Sequence, residues 1–183
     1  MAQLYTTQNN LLLTKLMKFY NVNNNLEKIL TIINGENKMS LRLIVWFVTN
    51  WAKKYYTVYN ISENGESRRF KVYTDYKLKL KAYSKKRFDP FCRWERINIP
   101  YKGDSYIQTT IGQLNFFRWA IDHLVIEYII LNYENIETDM NDSIQLIRKN
   151  YVKSAERKKR QELSLSASRG LNRHVGPVVI TFD

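Results

Sequence analysis

Apolar residues recur at helical spacing through the first third of the chain. Residues 11–19 and residues 26–33 each carry apolar positions three or four apart, which is the period of an amphipathic helix. Gly35 follows the second stripe where a helix commonly ends, and Ser40 precedes a third apolar stretch, residues 41–54, as an N-cap. This pattern predicts three helices. The third must be covered on most sides, because apolar residues surround it.

The period shortens after residue 54. Two β-rich runs, residues 56–61 and 70–73, flank the Asn64-Gly65 pair, and this arrangement predicts a β-hairpin. Farther on, residues 96–99 have the composition of a short strand and are followed by a turn at residues 102–104. The sequence therefore predicts a small antiparallel element within a chain that is otherwise helical.

Residues 76–83 fit two structures. Lysine alternates with apolar residues here, as in a strand with a basic outer face. Lysine and leucine also favour a helix, and Leu80, Tyr83 and Arg87 could share one helical stripe. The pattern leaves helix and strand open, and the Asp89-Pro90 pair ends the segment in either case.

Two further helices are predicted in the C-terminal half. Thr110 and Gln113 have the spacing of a capping box, which opens a helix from residue 111 to about residue 132. Its predicted core face comprises Leu114, Phe117, Ile121, Leu124, Val125 and Tyr128. We expect Trp119 to be buried with them. The next helix begins near Thr138 or Asp139, and its apolar stripe comprises Met140, Ile144, Ile147, Tyr151 and Ala155.

Together these elements predict an α+β fold that is mostly helical. A helical core carries a small antiparallel hairpin or sheet, and residues 1–160 form a single domain with a basic insertion near residues 53–102. Residues 161–183 form an extended basic C-terminal tail that ends in a β-strand at residues 178–182.

The charge of the chain is strongly positive. Lysine and arginine number 29 against 17 aspartate and glutamate residues, which gives a formal net charge of +12. Such a field attracts an acidic partner, most often nucleic acid. The positive residues concentrate in two clusters, one in the middle segment and one near the C-terminus.

The two clusters supply the candidate binding residues. The central cluster comprises Lys77, Lys79, Lys81, Lys85, Lys86, Arg87, Arg93 and Arg96. Aromatic residues interleave with these cations, so the cations could neutralise phosphates while the aromatic rings stack on unpaired bases. The second cluster comprises Arg157, Lys158, Lys159 and Arg160. The alternatives are a solvated lysine face over an aromatic core for the first cluster, and charges that complement a helix C-terminus for the second.

Little in the sequence indicates catalysis. With Cys92 as the one cysteine and two histidines, the chain cannot form an internal disulfide or a Cys/His zinc site. We interpret His123 and Cys92 as structural. The carboxylates Glu134, Glu137, Asp139 and Asp142 match no calcium loop, so we interpret them as an acidic helix N-terminus. We predict no enzyme activity, cofactor or metal. We also predict no signal peptide, because the N-terminus lacks a basic region followed by an apolar core and a small-residue cleavage site. We predict no membrane span, because charges interrupt the longest apolar segment, residues 114–131.

Three stretches resemble an uncharacterised protein family of nucleocytoplasmic large DNA viruses, the group that includes mimivirus-like and marseillevirus-like giants. They are SLRLIVWFVTNWAKK at residues 40–54, LKAYSKKRFDPFCR at residues 80–93 and TTIGQLNFFRWAI at residues 109–121. The RKKR and NRHVGP stretches of the tail are similar as well. The resemblance implies a virus-encoded protein associated with the genome, transcription or the virion. It implies no active site.

We therefore predict a non-enzymatic viral protein that binds an acidic partner, with DNA first. One alternative is a minor capsid or virion-scaffold protein that contacts other viral proteins, or further copies of itself, through the C-terminal strand. A less favoured alternative is a DNA nuclease. The expected location is the viral factory in the host cytoplasm, the nucleus, or the virion.

Overall fold

The computed structural model describes residues 2–63, 65–101 and 105–155 of the chain. The fold is α+β and mostly helical, with two small antiparallel two-stranded sheets in the described part, so the predicted fold class is confirmed. Met1–Asp142 is one compact unit. Of the second unit, Ser143–Asp183, the described part is helical. The predicted domain boundary at residue 160, the extended tail and its strand at residues 178–182 lie outside the described residues.

The three predicted N-terminal helices are present. They are α1 (Ala2–Tyr20), α2 (Asn25–Ile33) and α3 (Leu41–Trp46), which continues through a π-helical turn (Phe47–Trp51) into α4 (Ala52–Lys54). Gly35 follows α2 with φ +75°. The Ser40 hydroxyl accepts a hydrogen bond from the backbone N–H of Leu43 at 3.2 Å, which is the predicted cap.

The predicted hairpin at Gly65 is confirmed. Strand β1 (Val58–Glu63) pairs with β2 (Glu66–Lys71), and Glu63 lies opposite Glu66 across the turn. Gly65 has φ +84°, which a residue without Cβ adopts at little cost. The predicted outgoing strand is too long, because Val72 and Tyr73 belong to the following helix.

Residues 76–83, whose sequence fits either a helix or a strand, form a helix. Helix α5 (Val72–Arg87) contains all of residues 76–83, so the interpretation as a strand with a basic outer face is wrong. Residues two apart on a helix point about 200° apart. Lys77 and Lys81 therefore lie on the same, exposed side of α5, whereas Lys79 lies on a different side and is half-buried. Ser84 interrupts the helical geometry near the C-terminus with φ 58° and ψ 169°.

A second hairpin follows α5. Strand β3 (Arg96–Tyr101) extends the predicted strand by two residues and pairs with β4 (Ser105–Thr110), a strand that was not predicted. The predicted turn at residues 102–104 lies outside the described residues. Pro100 is tolerated in β3 because the described sheet has two strands, so each strand has an unpaired edge.

The long C-terminal helix is divided. Helix α6 (Ile111–Asp122) begins at the predicted cap, where the Thr110 hydroxyl accepts from the Gln113 N–H at 3.1 Å. It ends ten residues earlier than predicted, and α7 (Val125–Leu131) and α8 (Tyr133–Ala155) follow. Leu124 separates α6 from α7 with a left-handed backbone, φ 56°, and is 44% exposed. Its predicted place in the core is therefore wrong, whereas Trp119 is buried as predicted.

An aromatic cluster joins α5 and α6. Tyr76 of α5, Phe88, and Phe116 and Trp119 of α6 lie with ring centroids between 5.4 and 6.4 Å apart. The indole N–H of Trp119 donates to the Asp75 carboxylate at 2.7 Å. These contacts fix the position of α5, and thus of its lysines, relative to the core.

Candidate nucleic-acid interface

The predicted central cations lie mainly along α5 and just beyond it. Lys77 and Lys81 lie one helical turn apart on its exposed side, and Lys85 and Lys86 are exposed after the break at Ser84. The break at Ser84 changes the direction of the backbone, so the last three basic residues do not continue the helical stripe of Lys77 and Lys81. The cations are therefore distributed over several surfaces rather than along one face.

One surface is a cleft between α1, α5 and α6, called here the basic cleft. Its volume is about 450 Å³, and it is lined by four cations: Lys15, Lys79, Arg87 and Arg118. Asp122 also lines it, and its carboxylate accepts from the Arg118 Nε at 3.3 Å. Positive charge therefore exceeds negative charge around the cleft, as an anionic ligand requires.

The arginines of the basic cleft are held by polar and aromatic neighbours. Arg87 Nη1 donates to Gln8 Oε1 at 3.2 Å, and the Arg87 backbone carbonyl accepts from the Asn115 side chain at 2.8 Å. The Arg118 guanidinium lies 5.5 Å from the ring centroid of Phe19. Fixed cations lose less conformational entropy when they bind a ligand.

The second surface, called here the Trp94 cleft, has a different character. It encloses about 710 Å³ and is lined by Ser84, Lys86, Trp94 and Glu95 among others. The Lys86 ammonium lies 5.9 Å from the centroid of the Trp94 ring, which is a cation–π distance. Trp94 is 40% exposed. An exposed indole beside a cation can stack on a planar ligand while the cation faces an anionic group.

The two clefts share part of their walls. Gln8, Tyr83 and Arg87 line both of them. Arg87 is therefore the predicted site residue that connects the two surfaces.

Arg93 and Arg96 bind within the protein. Arg93 forms a bidentate ion pair with the buried carboxylate of Asp89, with both N–O distances at 2.9 Å. These hydrogen bonds raise the pKa of Arg93 above its usual range. Arg96 Nη1 donates to Gln108 Oε1 on the neighbouring strand at 2.9 Å. Neither arginine lines the basic cleft or the Trp94 cleft.

The remaining candidates divide into three groups. Arg157, Lys158, Lys159 and Arg160 lie outside the described residues. His123 is half-buried and stacks on Phe70 at 4.6 Å between centroids, and Cys92 is half-buried. Asp139 accepts from Trp46, Lys54 and Tyr55, and although burial opposes it, these hydrogen bonds lower the Asp139 pKa. Across residues 2–63, 65–101 and 105–155, no group of three His, Cys, Asp or Glu residues is arranged to hold a metal ion.

Two cations of the basic cleft were not predicted. Lys15 lies on α1 and Arg118 on α6, both in segments whose apolar spacing indicated core helices. The only signal in the sequence was a pair of charges in each apolar segment, Lys15 and Lys18 in α1 and Arg118 and Asp122 in α6. Such a charge could mark a site only once the packing of α1, α5 and α6 was known.

Comparisons with known proteins give the family. The sequence model of a family described as a family of unknown function (DUF7197) matches residues 1–179. The uncharacterized protein L507 of Acanthamoeba polyphaga mimivirus is 45% identical over 119 residues, which cover 62% of this chain and 46% of that protein. The match thus spans about half of that relative's length. No solved structure matches the chain.

These matches confirm the predicted relationship to an uncharacterised protein family of giant viruses. They also support a giant-virus origin for this protein. Within the described residues, no helix is both long and apolar enough to cross a lipid bilayer. The chain belongs to the DUF7197 family.

Proposed function

We propose that this chain is a non-enzymatic viral protein that binds nucleic acid, with DNA as the first candidate. The binding surface comprises the exposed lysines of α5, the basic cleft and the Trp94 cleft. The protein would act where the viral genome is handled, in the viral factory of the host cytoplasm, in the nucleus or in the virion.

The observation that carries this proposal is the lining of the basic cleft. Four cations from three helices converge on one concave surface, and two of them come from α1 and α6, whose apolar spacing indicated core helices. A lysine face that served solubility alone would not need cations from α1 and α6, which also contribute buried residues to the core, to face the same cleft. Phosphate groups are the common biological anions that such a surface attracts, and each neutralised phosphate releases counterions.

The test is a salt titration of DNA binding. Each lysine that contacts a phosphate contributes close to one unit to the slope of log affinity against log salt. Lys15 lines the basic cleft, Lys86 lines the Trp94 cleft, and both are exposed. We expect Lys15→Glu combined with Lys86→Glu to reduce the steepness of the slope by about 2 and to weaken binding to all DNA sequences alike.

A matched variant controls for net charge. Lys28→Glu combined with Lys71→Glu makes the same change in charge at exposed positions that line neither cleft. We expect the slope to stay unchanged in this control. A DNA affinity that does not change with salt concentration, or that falls equally in both double variants, would contradict the proposed surface.

The second candidate function is a minor capsid or virion-scaffold role. Ile130 and Leu131 of α7 are both exposed, and Leu131 is 83% exposed, which favours a contact with another viral protein or a second copy of the chain. Light scattering in the absence of DNA tests the form of this candidate in which copies of the chain bind one another, because that form requires an assembly larger than a monomer.

A further inference from the structure

We propose that the ligand is an unpaired strand rather than a duplex, with phosphates in the basic cleft and one base stacked on Trp94. This inference rests on the proposed function and specifies the form of nucleic acid that the same site takes.

The position of Trp94 in a cleft favours an unpaired base as its ligand. Trp94 is 40% exposed, and Ser84 and Arg87 line the same cleft as its indole. A base within a duplex has both faces covered by its neighbours and cannot reach an indole inside a recess. An unpaired base can enter the recess and stack there.

The wall that the two clefts share would let one strand contact both of them. Four cations and one carboxylate line the basic cleft, whereas the Trp94 cleft combines two cations and one carboxylate with an exposed indole ring. Because Gln8, Tyr83 and Arg87 line both clefts, a strand that crosses this wall would place phosphate on one side and a base on the other. The planar guanidinium of Arg87 at the wall suits the geometry of a phosphate.

The backbone conformation of Ser84 positions the cations that follow it in the chain. Its φ of 58° and ψ of 169° belong to a region that residues other than glycine rarely occupy. The residue lies in the wall of the Trp94 cleft, directly before Lys85, Lys86 and Arg87. The break thus orients Lys86 toward Trp94 and Arg87 toward the shared wall, instead of continuing the helix. A strained residue at this position is expected where a binding surface requires a particular geometry.

The experiment compares a labelled oligodeoxynucleotide as a single strand and annealed to its complement, by fluorescence anisotropy. We expect the full chain to bind the single strand more tightly. Trp94→Ala should weaken single-strand binding by roughly 5- to 150-fold, the range for one base–aromatic stack, and should change duplex binding little. Trp94→Phe keeps a ring and should recover most of the lost affinity.

Tyr56→Ala is the matched control, because Tyr56 is a highly exposed aromatic residue that lines neither cleft. Selective loss with Trp94→Ala, rescue with Trp94→Phe and no effect of Tyr56→Ala would support the inference. If the chain binds the single strand and the duplex equally, and Trp94→Ala weakens both or neither, the inference is overturned and the proposed function stays in place. Salt-insensitive binding, or no binding of either form, would overturn both.

Discussion

Helices α5 and α6 meet in one aromatic cluster but have opposite environments. In α6, Phe116, Phe117 and Trp119 are buried, and even Gln113 and Asn115 are enclosed with their hydrogen bonds satisfied within the protein. In α5, all of which the structure describes, Val72 is buried and the other residues are at least partly exposed. The same contact therefore joins a helix that forms the core to a helix that displays charge.

This difference shows how a small protein can hold many cations close together. Like charges on an isolated helix repel one another, and α5 has too few buried residues to stabilise itself. Its contacts with α6 include Tyr76 in the aromatic cluster and Asp75, which accepts from Trp119. The packing energy thus comes from α6, and the basic cleft lies where the two helices meet.

The largest expected effect is on the α6 side of the contact. Phe116 is fully buried and contacts three other rings of the cluster, so Phe116→Ala should lower the free energy of unfolding by about 3–5 kcal/mol. Leu78→Ala on α5 is the control. Because Leu78 is 59% exposed, its removal should cost no more than about 0.5 kcal/mol. Urea unfolding measures both, and equal losses would show that the two helices share the core equally.

The helical spacing of apolar residues predicted the buried face of α6 but did not predict where that helix ends. The buried Leu114, Phe117 and Trp119 followed from their spacing in the sequence. The end of α6 did not, because Leu124 adopts a left-handed backbone without the glycine that normally indicates one. The Tyr59 hydroxyl donates to the neighbouring carbonyl of His123 at 2.8 Å, a contact 64 residues distant in the chain. Long-range contacts of this kind leave no local signal.

The candidate site was predictable only in part. Lys79 and Arg87 were predicted and do line the basic cleft, but their partners Lys15 and Arg118 became visible only when α1 and α6 packed beside α5. Arg93 had the same sequence signal as its neighbours, yet it pairs with the buried Asp89. Clustering of charge therefore indicated the region, while tertiary packing decided which cations line the basic cleft.

The next expected effect is where Gly112 of α6 lies close to the backbone at the end of α5 and just beyond it. A Cβ on Gly112 of α6 would lie 3.1 Å from the backbone carbonyl oxygen of Lys86 and 3.4 Å from the N–H of Asp89. Backbone atoms cannot move aside as a flexible side chain can. Gly112→Ala should therefore lower the free energy of unfolding by about 1–2 kcal/mol, despite the better helix propensity of alanine.

Hydrogen exchange gives an independent measure of the same contact. The N–H of Asp89 donates to the Gly112 carbonyl at 3.1 Å, so it should exchange faster in the Gly112→Ala variant. A stabilising substitution with unchanged exchange at Asp89 would contradict a tight contact between α5 and α6.

The smallest expected effect is on the α5 side and has the opposite sign. Ser84 occupies a backbone region that costs a residue with Cβ about 1–3 kcal/mol, whereas glycine enters it freely but loses more entropy on folding. Ser84→Gly should therefore raise the free energy of unfolding by about 1 kcal/mol. Ala82→Gly, at an exposed position with helical geometry two residues earlier, should lower it by about 0.5–1 kcal/mol. Thermal unfolding of the two variants checks the signs. If both substitutions destabilise the protein, Ser84 is unstrained, and α5 is then a continuous helix like α6 instead of a helix broken beside the proposed binding surface.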